Sequence, residues 1–522
     1  MTAKPQLRIE VRPAAPSADG LWRRSSSYAL LALIGGGATL LWSLANGRTL
    51  LYGDATAHLA IARRIVDSAT PGLSQLGTVW LPLPHLLMAP LVIFMPLWRD
   101  GLAGAVPSLL ALVVGTWLLH RLVRRVWGAG AAAWAAAFFC LNPSLLYLSA
   151  VPMTESIYLA TFLGLVDQCG AYWLDRDRKH VWRAAGWGLA ATLCRYDGWF
   201  VLPFALLMLV LATPRRWWRI AWRFCLLAGA GPLFWFAYNW FYFKSTLDFL
   251  NGPYSAKAIA GALRYPGDHA LGVAALYYLK TVVLTCGLPL AILALVGLLG
   301  WRCWRRHPEA WLLLLPLPWY LWAMWSGNVP IFLPQYWPHA YYNLRYGVQL
   351  LPAVALFSGL AVAALFAAAR RVTLARGHLA AGLALGLAIL CGGRYAVMLR
   401  APGPPAYAEA VHNAPARLAM EHALAHALAG WRPGERVLMF FGTYPGALAD
   451  DRIPLHDVVQ ESNFHLWQHA LAVPQRYVNW VVVQAHTPTA ALAHAPELRQ
   501  YFTQAARLRI PTQPPIEVWR RK

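Results

Sequence analysis

Acidic residues are scarce in this sequence: 22 Asp and Glu stand against 45 Lys and Arg in 522 residues, and charged residues of both signs make up only 13% of the chain. That is about half the charged share of an ordinary soluble chain, which excludes a molecule covered on all sides by water. Cysteine is sparse too. Cys140, Cys169, Cys194, Cys225, Cys286, Cys303 and Cys391 lie in or beside apolar stretches, none follows position 391, and no CxxC spacing occurs. A disulfide framework and a thiolate metal site are therefore unsupported. The N-terminus lacks a signal-peptide cleavage pattern: residues 1–26 are polar and proline-bearing and end in basic residues, so residues 28–45 read as an uncleaved first span.

What is present is grease. Hydrophobic residues make up 58% of the chain, and runs such as "LPLAILALVGLLG" and "AAGLALGLAILCGG" recur up to about position 397. Such runs predict a polytopic α-helical membrane protein. The formal charge of +23 does not point to nucleic acid. Its arginines fall in short clusters between apolar runs (Arg23–Arg24; Arg121, Arg124 and Arg125; Arg215, Arg216 and Arg219; Arg302, Arg305 and Arg306; Arg370, Arg371 and Arg376), which is the mark of loops kept in the cytoplasm. No basic face with interleaved aromatics accompanies them.

Placing every basic cluster on one side requires residues 81–98, "LPLPHLLMAPLVIFMPLW", to lie at the outer interface or re-enter instead of crossing. Pro84, Pro90 and Pro96 favour that reading. About eleven transmembrane helices follow from this choice. The domains expected are a cytoplasmic tail (1–27), a membrane region (28–400) and an extracytoplasmic α/β domain (401–522). The last opens on a proline-rich linker, "APGPPAYAEA", and holds strand-like runs at 436–441 and 477–484. It has no phosphate-cradling glycine loop, GxSxG or metal-ligand spacing.

Because acids are rare, those assigned to outer loops stand out. In "LYGDATAHLAIARR", Asp54 and His58 are four residues apart and share a helix face. Two compatible readings fit Asp54: a cap at the helix start, or a carboxylate at the membrane surface ready to take a proton from a hydroxyl. Glu155 follows Pro152 and directly precedes an apolar helix. It is either a solvated loop residue or a second carboxylate facing the same cavity, and the pair would be candidate ligands for a divalent cation or would orient an acceptor. Arg345, in "AYYNLRYGVQLLP" beside Tyr346, is either a snorkelling belt residue or a phosphate ligand. Arg195 in "CRYDGWF" repeats the arrangement, with Asp197 as its ion-pair partner. Asn251, Tyr254 and Lys257 lie in an outer loop whose Gly-Pro marks a turn, and they either touch substrate or fix that turn. His58 and His85 raise the question of zinc, although such histidines are more often hydrogen-bonded surface or core residues. Asp167 reads as lying toward the cytoplasmic half of its span, away from the site.

In order along residues 28–400, "YGDATAHLAIARRI", "GTVWLPLPHLL", "NPSLLYLSAVPMTESIYL", "RYDGWFVLP", "LDFLNGPYSA" and "YNLRYGVQLLP" resemble the GT-C superfamily of membrane glycosyltransferases. The likeness is to bacterial members related to protein O-mannosyltransferases and aminoarabinose transferases. It implies an inner-membrane enzyme that uses a polyprenyl-phosphate-linked sugar at the outer leaflet, with no nucleic-acid partner and with its acceptor unassigned. By that likeness Asp54 matches the first-loop catalytic acid, Glu155 the second acidic position, and Arg345 the position that engages the lipid phosphate. One departure is visible: many relatives carry Asp-Glu in the first loop, whereas Ala55 follows Asp54 here. The alternative reading is a lipid-linked saccharide flippase, for which inverted repeats and midplane polar groups are expected. No internal repeat is evident.

Overall fold

A computed structural model of the chain describes residues 18–255, 258, 261, 264–300, 307–371 and 374–522. The centre of the helical bundle is the helix Glu155–Asp175, buried without interruption from Glu155 to Tyr172. A helix apolar all round is one surrounded by other helices, and Leu102–Trp127, Arg178–Cys194 and Tyr196–Ala212 pack on it. Gly164 permits one of these contacts: a Cβ there would lie 2.3 Å from the ring of Trp187.

Four described helices are long and apolar enough to cross a bilayer: Ser25–Ala45, Leu102–Trp127, Leu344–Ala368 and Ala381–Met398. Three pairs bent by 62°, 107° and 110° bring the number to seven if each pair counts as one span. The chain is thus a multi-pass membrane protein, and length and apolarity support four to seven crossings among the described residues, fewer than the eleven expected. Residues 81–98 form the helix Pro82–Val92 and the short Met95–Arg99. Eleven residues rise only about 16 Å, roughly half a hydrocarbon core, so this helix is too short to cross by itself. Its backbone is more regular than its prolines suggest. Pro82 sits in the first turn, where a missing N–H costs little, and the helix stops two residues after Pro90.

The stretch read as a linker turns helical at its last proline. The helix Pro405–Leu428 has Pro404 as its N-cap and Pro405 in its first turn. Its first half packs Ala406, Ala410 and Ala414 into the bundle core, and its second half packs Met420, Leu424, Ala425 and Leu428 under a mixed sheet. The same core takes in Leu59, Ala60 and Ala62 of the helix Gly53–Val66 and Met88 and Val92 of the Pro82–Val92 helix. The sheet has strands β1 (Val437–Leu438), β2 (Val458–Val459), β3 (Trp480–Gln484), β4 (Phe502–Leu508) and β5 (Ile516–Arg521) in the order β2-β1-β3-β5-β4. β1 runs parallel to β2 and β3, whereas β3–β5 and β5–β4 are antiparallel. Both expected runs contribute, as β1 and β3. β3 is buried at every position, which explains its continuous apolar sequence.

Candidate active site

The helix Gly53–Val66 answers why an apolar chain puts Asp54, His58, Arg63 and Arg64 together. Its N-cap is Tyr52, without a side-chain cap. Asp54 lies one residue inside the helix, and its carboxylate bonds to Arg345 Nη2 at 2.5 Å, not to a backbone donor, so the capping reading is replaced by an ion pair. At the other end both arginines are buried and act as anchors. Arg63 bonds to Asp67 and to the carbonyls of Val92 and Ile93, with its guanidinium over Trp98. Arg64 reaches the Gln75 carbonyl, Gln460 and Ser462. These two residues fasten the helix to the 82–92 segment and to the turn before the last strands.

Arg345 opens the 3-10 turn Leu344–Leu350, behind Asn343 at φ +58°, a left-handed conformation that Asn tolerates well. Three carboxylates surround the guanidinium. Asp54 takes Nη2, Glu155 takes Nε at 3.2 Å and Glu409 takes Nη1 at 3.0 Å. The rings of Tyr52 and Tyr346 lie 5.1 Å from its centre, within cation–π range. Side-chain exposure distinguishes the three acids: 1% for Glu155, 1% for Glu409 and 40% for Asp54. The cluster therefore has one open edge, and Asp54 stands on it.

Arg195, at the junction of Arg178–Cys194 and Tyr196–Ala212, joins the same cluster. It bonds to Thr154 at 3.0 Å, Asp197 at 3.2 Å and the Tyr320 hydroxyl at 3.2 Å, approaches Glu155 at 3.5 Å, and lies 5.0 Å from the Tyr346 ring. Tyr320 in turn donates to Asp197 at 2.9 Å. Two guanidiniums thus face four carboxylates, and Glu155 Oε2 is buried with no hydrogen-bond partner among the described residues.

Of the sequence candidates, the structure brings together Asp54, Glu155, Arg195, Arg345 and Tyr346. His58 is adjacent: burial, then the nearby charges of Arg345 and Arg195, hold it down to about 3, so the ring is neutral. It bonds to His85 at 2.9 Å and lies beside the tilted ring of Trp80, an arrangement that matches the hydrogen-bonded core role. Tyr254 stands apart, near Phe440 and under the charges of Glu461 and Arg64, and Asn251 is exposed. Lys257 lies outside the described residues, as do Arg302, Arg305 and Arg306. As candidate cation ligands, Asp54 and Glu155 fit poorly, because the Arg345 guanidinium occupies the position between them that an ion would need. Among the described residues no group of three or more His, Cys, Asp or Glu is placed to hold a metal.

Glu409, Tyr52 and Tyr320 were not among the candidates. Tyr52 was in view, one residue before Gly53. Tyr320 lies in "PLPWYLWAMW", where aromatics are too common to single one out. Glu409 follows a proline run in an alanine-rich stretch. Its only signal is the small-residue face Ala406, Ala410 and Ala414 beside it, which marks a buried helix side.

No family model matches the chain, and no curated protein does. Solved structures do. ArnT from Cupriavidus metallidurans bound to undecaprenyl phosphate is similar over 96% of this chain and 98% of its own, with a TM-score of 0.57 at 16% identity. The apo oligosaccharyltransferase of Archaeoglobus fulgidus is similar over 88% of this chain and 69% of its own, at 0.52 and 12%. The same protein tethered to an acceptor peptide containing the NVT sequon gives 94%, 73%, 0.51 and 13%. These likenesses establish the fold: the chain shares its architecture with ArnT and with the archaeal oligosaccharyltransferase, in keeping with the resemblance of its motifs.

Proposed function

We propose that the chain is an inverting membrane glycosyltransferase that moves a sugar from a polyprenyl-phosphate-linked donor to an acceptor hydroxyl at the outer face of the bacterial inner membrane. On this reading Glu155–Asp175, Arg178–Cys194 and the other bundle helices cross as well, which brings the spans to about eleven. The observation that carries the proposal is the convergence of Asp54, Glu155 and Arg345, from three distant segments, on a buried cluster with a single open edge. The shared fold with ArnT, whose structure holds undecaprenyl phosphate, is the second support.

The geometry suggests the order of events. Arg345 is held on two sides by buried carboxylates, so an incoming phosphodiester meets it only at Nη2, where Asp54 now sits. The phosphate takes over that N–H, and Asp54 is released as an ionised base beside the anomeric carbon. The acceptor hydroxyl then attacks from the face opposite the phosphate. The new C–O bond forms as the bond to the phosphate oxygen breaks, through an oxocarbenium-like state. The hydroxyl proton passes to Asp54, and the bonding electrons leave with the polyprenyl phosphate, whose charge Arg345 stabilises. Arg195 adds a second positive charge behind Glu155.

The test is purified protein in vesicles with a labelled polyprenyl-phosphate sugar and a panel of acceptors. Covalent product supports the enzyme. Movement of donor between leaflets without product supports a flippase and overturns the proposal, and so does neither outcome across the panel.

A further inference from the structure

We infer that Glu409, carried on the helix that ties the sheet to the bundle, is the positioning residue that aims Arg345 at its open edge. This rests on the reaction proposed above. Three of its contacts converge on one turn. Glu409 Oε1 accepts from the Asn343 N–H at 3.0 Å and from Arg345 Nη1 at 3.0 Å, and Oε2 accepts from the Arg345 N–H at 3.2 Å. One carboxylate therefore fixes both the left-handed backbone at Asn343 and the rotation of the guanidinium. With Glu155 on Nε, the nitrogen that faces the partly exposed side, among the described residues, is Nη2, where Asp54 sits.

The helix that carries Glu409 is itself secured to both sides of the site. The Tyr52 hydroxyl donates to the Ala406 carbonyl at 2.6 Å, and Asn413 donates to the Tyr341 carbonyl at 2.8 Å. Arg417 donates to the carbonyls of Leu50 and Leu51 at 2.7 and 3.1 Å, directly before the Asp54 helix. Farther along, Glu421 pairs with Arg417 at 2.6 Å and accepts from Gly446, which connects the helix to the sheet. Its Pro405 end is thus fixed to Tyr52, two residues before Asp54, and to Arg345, and its Leu428 end lies in the core of the last domain. Burial pushes Glu409 up, with Arg345 and the two backbone donors pulling it back. That balance is expected of a carboxylate held for a partner and not for solvent. Through Glu409, the helix that leads into the last domain sets the orientation of the phosphate ligand.

The test uses the full chain in lipid nanodiscs with undecaprenyl phosphate as the probe. The wild type is compared with Glu409→Gln, Arg345→Ala and the double variant. Glu409→Gln is expected to weaken probe binding on the order of 30-fold or more, and the double variant to bind no more weakly than Arg345→Ala alone. A merely structural Glu409 would add its loss to that of Arg345. Should Glu409→Gln not fold, Glu409→Asp, which keeps the charge one methylene short, is expected to bind roughly tenfold more weakly. Wild-type affinity in the Glu409 variants, or additive losses in the double variant, would overturn the inference and leave the proposed reaction standing. If the wild type itself does not bind the probe, the reaction falls and the positioning role with it.

Discussion

The helix Glu155–Asp175 carries two arginine–carboxylate clusters, at positions 155 and 167, built on opposite plans. At Asp167 one carboxylate, fully buried, is surrounded by donors: Arg121 on both oxygens, Arg125 at 3.2 Å and Gln168 at 2.7 Å, with Arg125 also on the Asp167 carbonyl at 3.0 Å. Positive charge exceeds negative, and every acceptor is occupied. At Glu155 the ratio is reversed. Arg345 alone is shared by three carboxylates, one oxygen of Glu155 has no hydrogen-bond partner among the described residues, and one partner stands at the surface. The first arrangement is complete as it stands. Of the three ion pairs in the second, only the one to Asp54 reaches the surface, on the carboxylate side, where water competes for it, while the other two are buried and costly to break. On the proposed function, the difference separates an ion pair that holds helices together from one that waits for a ligand.

Mutation can break that contrast at several points. Asp54→Asn is expected to have the largest effect, lowering the rate of sugar transfer roughly 10²- to 10⁴-fold in a vesicle assay while leaving the thermal midpoint nearly unchanged. Turnover like the wild type would remove Asp54 from the chemistry. Arg345→Lys keeps the charge but loses the fork, and a fall in kcat/KM of roughly 10- to 100-fold is expected, seen mostly in KM for the lipid donor. At the closed cluster, Asp167→Asn should leave kcat/KM within about twofold and instead cost about 1–3 kcal/mol of stability, read as a lower temperature of half-inactivation. A large loss of activity at unchanged stability would erase the distinction between the clusters.

The last effect, absent at neutral pH, concerns His58, behind the open edge. Its ring is held down to about 3, from an ordinary 6.5, by burial and then by Arg345 and Arg195. The unfolded chain therefore takes up a proton below pH 6.5 that the folded chain refuses. The stability His58 contributes is fully present above that pH and is lost as the pH falls toward 3. The slope is at most about 1.4 kcal/mol per pH unit for this one group. His58→Gln should flatten the acid limb of a stability–pH profile between pH 6 and 4, and an unchanged limb would count against it.

The same contrast explains what could be read from the sequence. Asp54, Glu155, Arg195 and Arg345 were legible because a charged residue beside prolines and aromatics at the edge of an apolar run has few neighbours of its own kind. Their convergence was not legible, since it depends on packing between segments as distant as positions 54 and 345. Glu409 was hidden by its surroundings: the prolines before it look like a linker, and alanine gives a weak helical signal. In the sheet, β1 and β3 were visible from their valines. β4, "FTQAARL", is mostly exposed, so it lacks the apolar alternation that reveals a half-buried strand. The number of crossings differs chiefly at helices such as Glu155–Asp175, Arg178–Cys194 and Ala230–Phe243, which are not among those long and apolar enough to cross by themselves.

A cryo-EM structure of the full chain with a bound polyprenyl phosphate tests the central claim most directly. The account predicts a phosphate oxygen within hydrogen-bond distance of Arg345 Nη2, Glu155 and Glu409 still on the other two edges, and Asp54 swung free of the guanidinium. A phosphate seated elsewhere, with the Asp54–Arg345 pair intact, would contradict it.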